Sequence, residues 1–185
     1  MKRMQRFIAI LILVTTRLVS MGQTGGLPAD LTAKGKLTEP FVDGSFGFSI
    51  RTPAGSVAER EKRLIDKADT EIVRFVQTEH SWALVVRLSQ TSRPLTGRMI
   101  IDGITDNLKS QYPGIRKTLG EEIRIRDRQC VRYAATFTED NQSWLRQQVV
   151  IPKSPLEYYT LVFITPLADE RIATTTFEQI AGDFE

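Results

Sequence analysis

Apolar positions in residues 41–185 recur with a period near two, then near four, then two again, and close on a period near four. Phe41-Val42, the turn Asp43-Gly44-Ser45 and the stretch Phe46–Ile50 predict a short hairpin. Asp-Gly suits a tight turn, and Phe46, Phe48 and Ile50 alternate with Gly47 and Ser49. Pro53 ends that strand. Ala58–Lys67 is densely charged and is expected to form a short helix. Glu71–Gln77 and Trp82–Ser89 predict a second hairpin, joined across Glu79-His80-Ser81, with Trp82, Leu84, Val86 and Leu88 sharing one face.

From Leu95 to Gln111 the spacing changes to that of a helix. Ile100, Ile104 and Leu108, supported by Ile101, form an apolar stripe opposite Arg98, Asp102 and Asp106, and Pro113-Gly114 ends the segment. Three or four strands are predicted next: Gly120–Arg126, Cys130–Thr138, Trp144–Ile151 and Tyr158–Thr165. The last is apolar on both faces, with Tyr158, Val162 and Ile164 on one and Tyr159, Leu161 and Phe163 on the other. It should therefore be central and covered twice. Ala168–Phe184 closes the chain as a helix bearing Phe177, Ile180 and Phe184 on one side. Strands joined by tight turns imply an antiparallel β-sheet, and two main helices flanking it imply an α+β sandwich.

Gly47-Phe48-Ser49-Ile50 followed by Pro53 resembles the opening strand of the PsbP/DcrB-like superfamily. Phe177-x-x-Ile180-x-x-Asp183-Phe184 is similar to the closing helix of those proteins. The order of elements agrees over residues 41–184. One departure is Ala54-Gly55-Ser56, which stands where a tryptophan is common after the first proline. The resemblance implies an α-β-α sandwich and an accessory or binding role in photosystems, envelopes or secreted lipoproteins. It implies no shared active site and transfers no functional residue.

The amino terminus changes the reading of charge. Lys2, Arg3 and Arg6 precede the apolar run Phe7–Val14, which is shorter than the roughly 20 residues a membrane helix needs. Residues 1–22 thus have the layout of a secretory signal peptide, with cleavage expected near Ser20-Met21-Gly22; an uncleaved anchor is the alternative. No cysteine follows closely, which argues against a lipid-modified terminus. Residues 23–40, rich in Gly, Thr, Pro and Lys, read as a flexible linker, and residues 41–185 as a single domain. The whole chain has 25 basic and 22 acidic side chains, a net charge of +3 and a pI near 9.1. Four of the basic residues belong to the leader, leaving 21 against 22 and a net of −1. The basicity that hinted at nucleic acid largely disappears with the leader, so no nucleic-acid partner is expected.

Candidate chemistry is sparse. The chain has one histidine, His80, and one cysteine, Cys130. Any histidine-dependent triad must use His80, which reads as a turn residue; no nucleophile elbow or phosphate-binding loop occurs. A zinc site would need His80, Cys130 and carboxylates from distant segments. Glu121-Glu122 and Glu139-Asp140 are adjacent pairs whose side chains point to opposite faces of a strand. No catalytic residue, metal or cofactor is expected. Cys130 reads as a small strand residue, and Asn141-Gln142-Ser143 as a glycosylation sequon at a hairpin tip. A three-residue loop at Asp127-Arg128-Gln129 would put Ile123, Ile125, Val131 and Tyr133 on one face. Arg124, Arg126 and Arg132 would then lie on the other, beside Cys130, with Arg128 at the tip. Those four arginines form a candidate patch for an anionic or protein partner. The expected function is that of an exported, periplasmic or extracellular, non-enzymatic accessory or binding protein contacting an unidentified protein or envelope component. No stable membrane span is expected once the leader is removed. The alternative is a small-molecule or lipid carrier, or an enzyme working without histidine.

Overall fold

A computed structural model of the chain describes residues 37–60, 63–65, 68–77 and 82–185. The expected signal segment, most of the linker and the loop Glu79-His80-Ser81 lie outside the described residues. The linker's end is part of the folded unit: Leu37 bridges Pro53, and the Thr38 amide donates to the Thr52 carbonyl at 2.8 Å.

Two short strands, β1 (Phe41–Asp43) and β2 (Phe48–Ile50), form a separate antiparallel hairpin. Asp43 shapes its turn by accepting from the amides of Ser45 at 3.0 Å and Phe46 at 3.1 Å. Gly47 then takes a positive φ of 70°, so the second strand begins at Phe48 rather than Phe46.

The described residues of Ala58–Lys67, expected as a short helix, include strands instead. Val57–Glu59 (β3) and Arg63–Leu64 (β4) pair antiparallel with the outer edge of β5 (Asp69–Gln77). A strand edge offers unpaired amides and carbonyls, and satisfying them outweighs a weak local preference for helix. β5 pairs with β6 (Trp82–Gln90) as the predicted second hairpin.

The central helix α1 (Gly97–Gln111) starts at Thr96, whose hydroxyl accepts from the Met99 amide at 3.3 Å. It buries Ile100, Ile101, Ile104 and Leu108 and leaves Arg98, Asp102 and Asp106 exposed, as the stripe predicts. Four long strands follow: β7 (Arg116–Ile125), β8 (Arg128–Glu139), β9 (Gln142–Ser154) and β10 (Glu157–Pro166). A single 3-10 turn, Leu167–Asp169, leads into α2 (Glu170–Asp183). The main sheet is antiparallel throughout, in the order β3-β5-β6-β10-β9-β8-β7, with β4 also on β5. The molecule is therefore of the α+β class, mostly antiparallel sheet with two helices.

β10 lies in the middle, as its two-sided apolarity requires. Tyr159, Leu161 and Phe163 join the cluster that contains Phe177, Ile180 and Phe184 of the C-terminal segment. Tyr158 joins Ile100, Ile104 and Leu108, while Val162 and Ile164 pack with Val85, Phe137 and Trp144. Phe163 stacks on Phe177 with centroids 5.7 Å apart, and Phe184 stacks on Phe48 at 5.6 Å. The chain's last residue continues that contact, exchanging two backbone hydrogen bonds with Ser49. Tyr159 donates its hydroxyl proton to the Phe46 carbonyl, tying the small hairpin to the central strand.

Candidate functional site

The expected arginine patch rests on a three-residue loop between β7 and β8. The connection has two residues: Ile125 pairs with Arg128, and only Arg126 and Asp127 lie between them. Arg126 takes φ 55° to close the tighter turn. A shift of one residue in a strand exchanges its two faces. Ile123 now stands opposite Cys130 and Glu121 opposite Arg132, while Val131 and Tyr133 turn to the α1 side. Arg132 and Arg124 therefore lie on opposite faces, not together.

Three of the four arginines hold the C-terminal segment. Arg132 bridges Glu121 at 2.7 Å and Glu178 of α2 at 2.5 Å. Arg126 pairs with Glu185 at 2.9 Å, and Arg128 donates to the Phe184 carbonyl at 3.2 Å. Arg124 is exposed and donates to the Arg126 carbonyl at 3.3 Å. Cys130 is a buried core residue, 1% exposed, and burial pushes its thiol above the ordinary value, the opposite of an activated nucleophile. Asn141 is exposed in the β8–β9 turn, where Asp140 and Asn141 both have positive φ. His80 lies outside the described residues. Among the described residues no group of three His, Cys, Asp or Glu side chains could hold a metal ion.

The polar groups that the fold does bring together are buried or partly buried on the sheet face against which, further along, α1 packs. Asp69, Glu71 and Arg74 of β5 lie beside Arg87 and Ser89 of β6 because of the pairing register and a bulge at Ile72. Glu71 takes Arg74 in a forked pair at 3.0 and 3.1 Å. Arg87 reaches Asp69 at 3.5 Å and Glu71 at 3.8 Å, and the Ser89 hydroxyl donates to Asp69 at 3.0 Å. Two strands away, Arg146 and Gln148 of β9 point to the same face, since Trp144, Arg146, Gln148 and Val150 alternate with Leu145, Gln147, Val149 and Ile151. Arg146 is fully buried, and its one hydrogen bond among the described residues runs to Gln148 Oε1 at 3.4 Å. Burial, and then repulsion from Arg87, push the Arg146 guanidinium down to about 10; Tyr112 and Tyr133 act the other way. Burial lowers Arg87 as well, against the pull of Asp69 and Glu71.

Periodicity alone misses this layer. It marks Trp82, Leu84, Val86 and Leu88 as one apolar face and gives Arg87, on the other, no role. The signal that could have found it is a charge in mid-strand inside an otherwise apolar run, as in Leu84-Val85-Val86-Arg87-Leu88 and Trp144-Leu145-Arg146-Gln147-Gln148-Val149.

Comparison with known proteins now has a geometry to rest on. No family model and no curated protein matches the sequence. Solved structures do match. Cyanobacterial PsbP (CyanoP) from Synechocystis superposes with a TM-score of 0.63 at 15% identity, over 80% of this chain and 91% of that one. This chain has a distant PsbP/DcrB-like fold. The protein of unknown function PA94 from Pseudomonas aeruginosa gives a TM-score of 0.50 at 14% identity, over 80% and 96% of the two chains. LpqN, involved in cell envelope biogenesis in Mycobacterium tuberculosis, gives 0.50 at 9% identity, over 88% and 98%. The PsbP/DcrB-like likeness matches the resemblance carried by Phe48, Pro53 and the closing Phe177–Phe184 motif. Among the described residues no helix is long and apolar enough to cross a membrane.

Proposed function

We propose that this protein is an exported, non-enzymatic accessory or binding protein of the cell envelope, built as a PsbP/DcrB-like sandwich with α1 and α2 on opposite faces of one sheet. The observation that carries the reading is the fold joined to a leader-like amino terminus: a basic cluster formed by Lys2, Arg3 and Arg6, then Phe7–Val14. The polar side chains described above support a non-catalytic role. Arg126, Arg128 and Arg132 serve the C-terminal segment, the Asp69–Arg87–Glu71–Arg74 group is internally paired, and the Cys130 thiol is buried. In this reading residues 1–22 are a signal peptide, the folded domain works outside the cytoplasm, and its partner is a protein or another envelope component.

Export is tested by expressing the full chain with a carboxy-terminal tag in a Gram-negative host, fractionating the cells and sequencing the amino terminus of the recovered protein. The expected product is periplasmic and begins near Gln23. Recovery in the cytosol with Met1 intact overturns the reading.

A further inference from the structure

On β5, β6 and β9 the sheet face on which α1 packs holds, among the described residues, three guanidiniums, Arg74, Arg87 and Arg146, and two carboxylates, Asp69 and Glu71. Both carboxylates are taken by Arg74 and Arg87. Arg146 carries the excess charge. It is 1% exposed, and among the described residues its Nε has no hydrogen-bond partner, nor has Nε2 of Gln148, which is 0% exposed. The charged and ionisable groups that bear on Arg146 are Arg87, which repels it, and the phenols of Tyr112 and Tyr133. Glu139, the other buried-side acid on this face, sits at the far end of the β8–β9 hairpin beside Asp140 and is not among them. A guanidinium removed from water without a counter-anion is strongly unfavourable. Arg146 and Gln148 together present the donors that a planar or tetrahedral oxyanion accepts.

Apolar side chains flank the pair on the neighbouring strands. Arg146 pairs across the sheet with Ile164 on one side and Ala135 on the other, and Gln148 pairs with Val162 and Tyr133. Trp144 and Phe137 flank them in the same cluster. Its partly buried members are Tyr112 and Ile115, on the turn that leaves α1, with the Tyr112 ring 4.3 Å from that of Phe137.

We propose that Arg146, with Gln148 beside it, is the head-binding group of a site for an amphiphilic oxyanion, a carboxylate or phosphate on an apolar body, entered beside the Tyr112–Ile115 turn. Arg146 forks onto the oxyanion, Gln148 Nε2 donates to it, and Arg87 favours the negative charge from its own paired position. The ligand's chain lies among the apolar side chains of β9 and β10. This adds a ligand to the accessory reading, which stands or falls separately on the export test.

The test is titration calorimetry on the purified full chain with decanoate, decyl phosphate, decanol, decyltrimethylammonium and inorganic phosphate, each below its micellar range. Decanoate or decyl phosphate is expected to bind with one-to-one stoichiometry, at least roughly tenfold tighter than decanol or the cation. Arg146→Gln is expected to remove that preference, while Arg98→Gln, on the exposed face of α1, leaves it unchanged. Which of the two heads binds tighter identifies a carboxylate or a phosphate source. Anions binding no tighter than decanol, or equally well to Arg146→Gln, overturn the proposal, and inorganic phosphate binding as tightly as decyl phosphate overturns the apolar body. If Arg146→Gln does not fold, Arg146→Lys keeps the charge and loses the fork. Its affinity is expected to fall by roughly tenfold, and an unchanged affinity overturns the proposal equally.

Discussion

Asp69 and Asp102 show how little a carboxylate's type says about its energetic weight. Asp102 pairs with Arg98 on α1 at 2.9 Å, with both side chains more than half exposed, where solvent screens the interaction. Asp69 is fully buried and faces Arg87, itself 1% exposed. Removing Asp69 would leave the Arg87 guanidinium in the interior with only Glu71, at 3.8 Å and already shared with Arg74. Asp69→Ala is therefore expected to lower the unfolding free energy by about 3–5 kcal/mol, while Asp102→Ala leaves the urea midpoint unchanged. A loss below about 1 kcal/mol for Asp69→Ala would show that water already reaches this pair. The same contrast separates two arginines of the same side-chain type: Arg126 meets Glu185 at the surface, while Arg146 has no acid beside it among the described residues.

The turns decide how the strands present their residues. At the β8–β9 connection Asp140 and Asn141 have φ of 51° and 61°, the left-handed conformation of a two-residue hairpin turn. Aspartate and asparagine tolerate it; a β-branched residue does not. Asp140→Val is expected to destabilise the protein by about 1–2 kcal/mol in urea unfolding, and Asn141→Gly to be neutral or slightly stabilising. Equal stability of Asp140→Val and the parent would mean that the turn rearranges without disturbing the register. The β7–β8 turn teaches the same lesson in reverse. Counting two connecting residues there instead of three moves Val131 and Tyr133 under α1 and brings Arg132 to Glu178. Every element with strong periodicity was legible: the Ile100–Leu108 helix, the two-sided strand at Tyr158–Thr165 and the closing helix. Val57–Glu59 and Arg63–Leu64 were not, because their strand state depends on the edge of β5.

The two apolar layers share one sheet, so neither side can lose its packing without exposing the back of the other. The chain's two tryptophans lie one in each layer: Trp82 against Phe163 at 5.5 Å, and Trp144 with Phe137, Val162 and Ile164. Trp82→Phe and Trp144→Phe each leave a single fluorescent reporter. Within each variant, tryptophan fluorescence and far-ultraviolet circular dichroism are expected to give one coincident urea transition. A fluorescence transition that precedes the loss of sheet in either variant would show that its layer melts independently.

Sequence alone determined what depends on neighbours in the chain. Alternation and helical spacing define the strands and two helices, β10 announces its central place by being apolar on both faces, and the basic Lys2–Arg6 segment with its apolar run sets the amino terminus apart from a nearly neutral remainder. Tertiary structure decided what depends on register and burial. It alone divides the four candidate arginines between two faces, gives three of them to the C-terminal segment, and places Arg146 in the interior with no carboxylate beside it among the described residues. The reason is physical: a side chain's type is local, but its face, its dielectric surroundings and its partners are set by strands that meet from far along the chain.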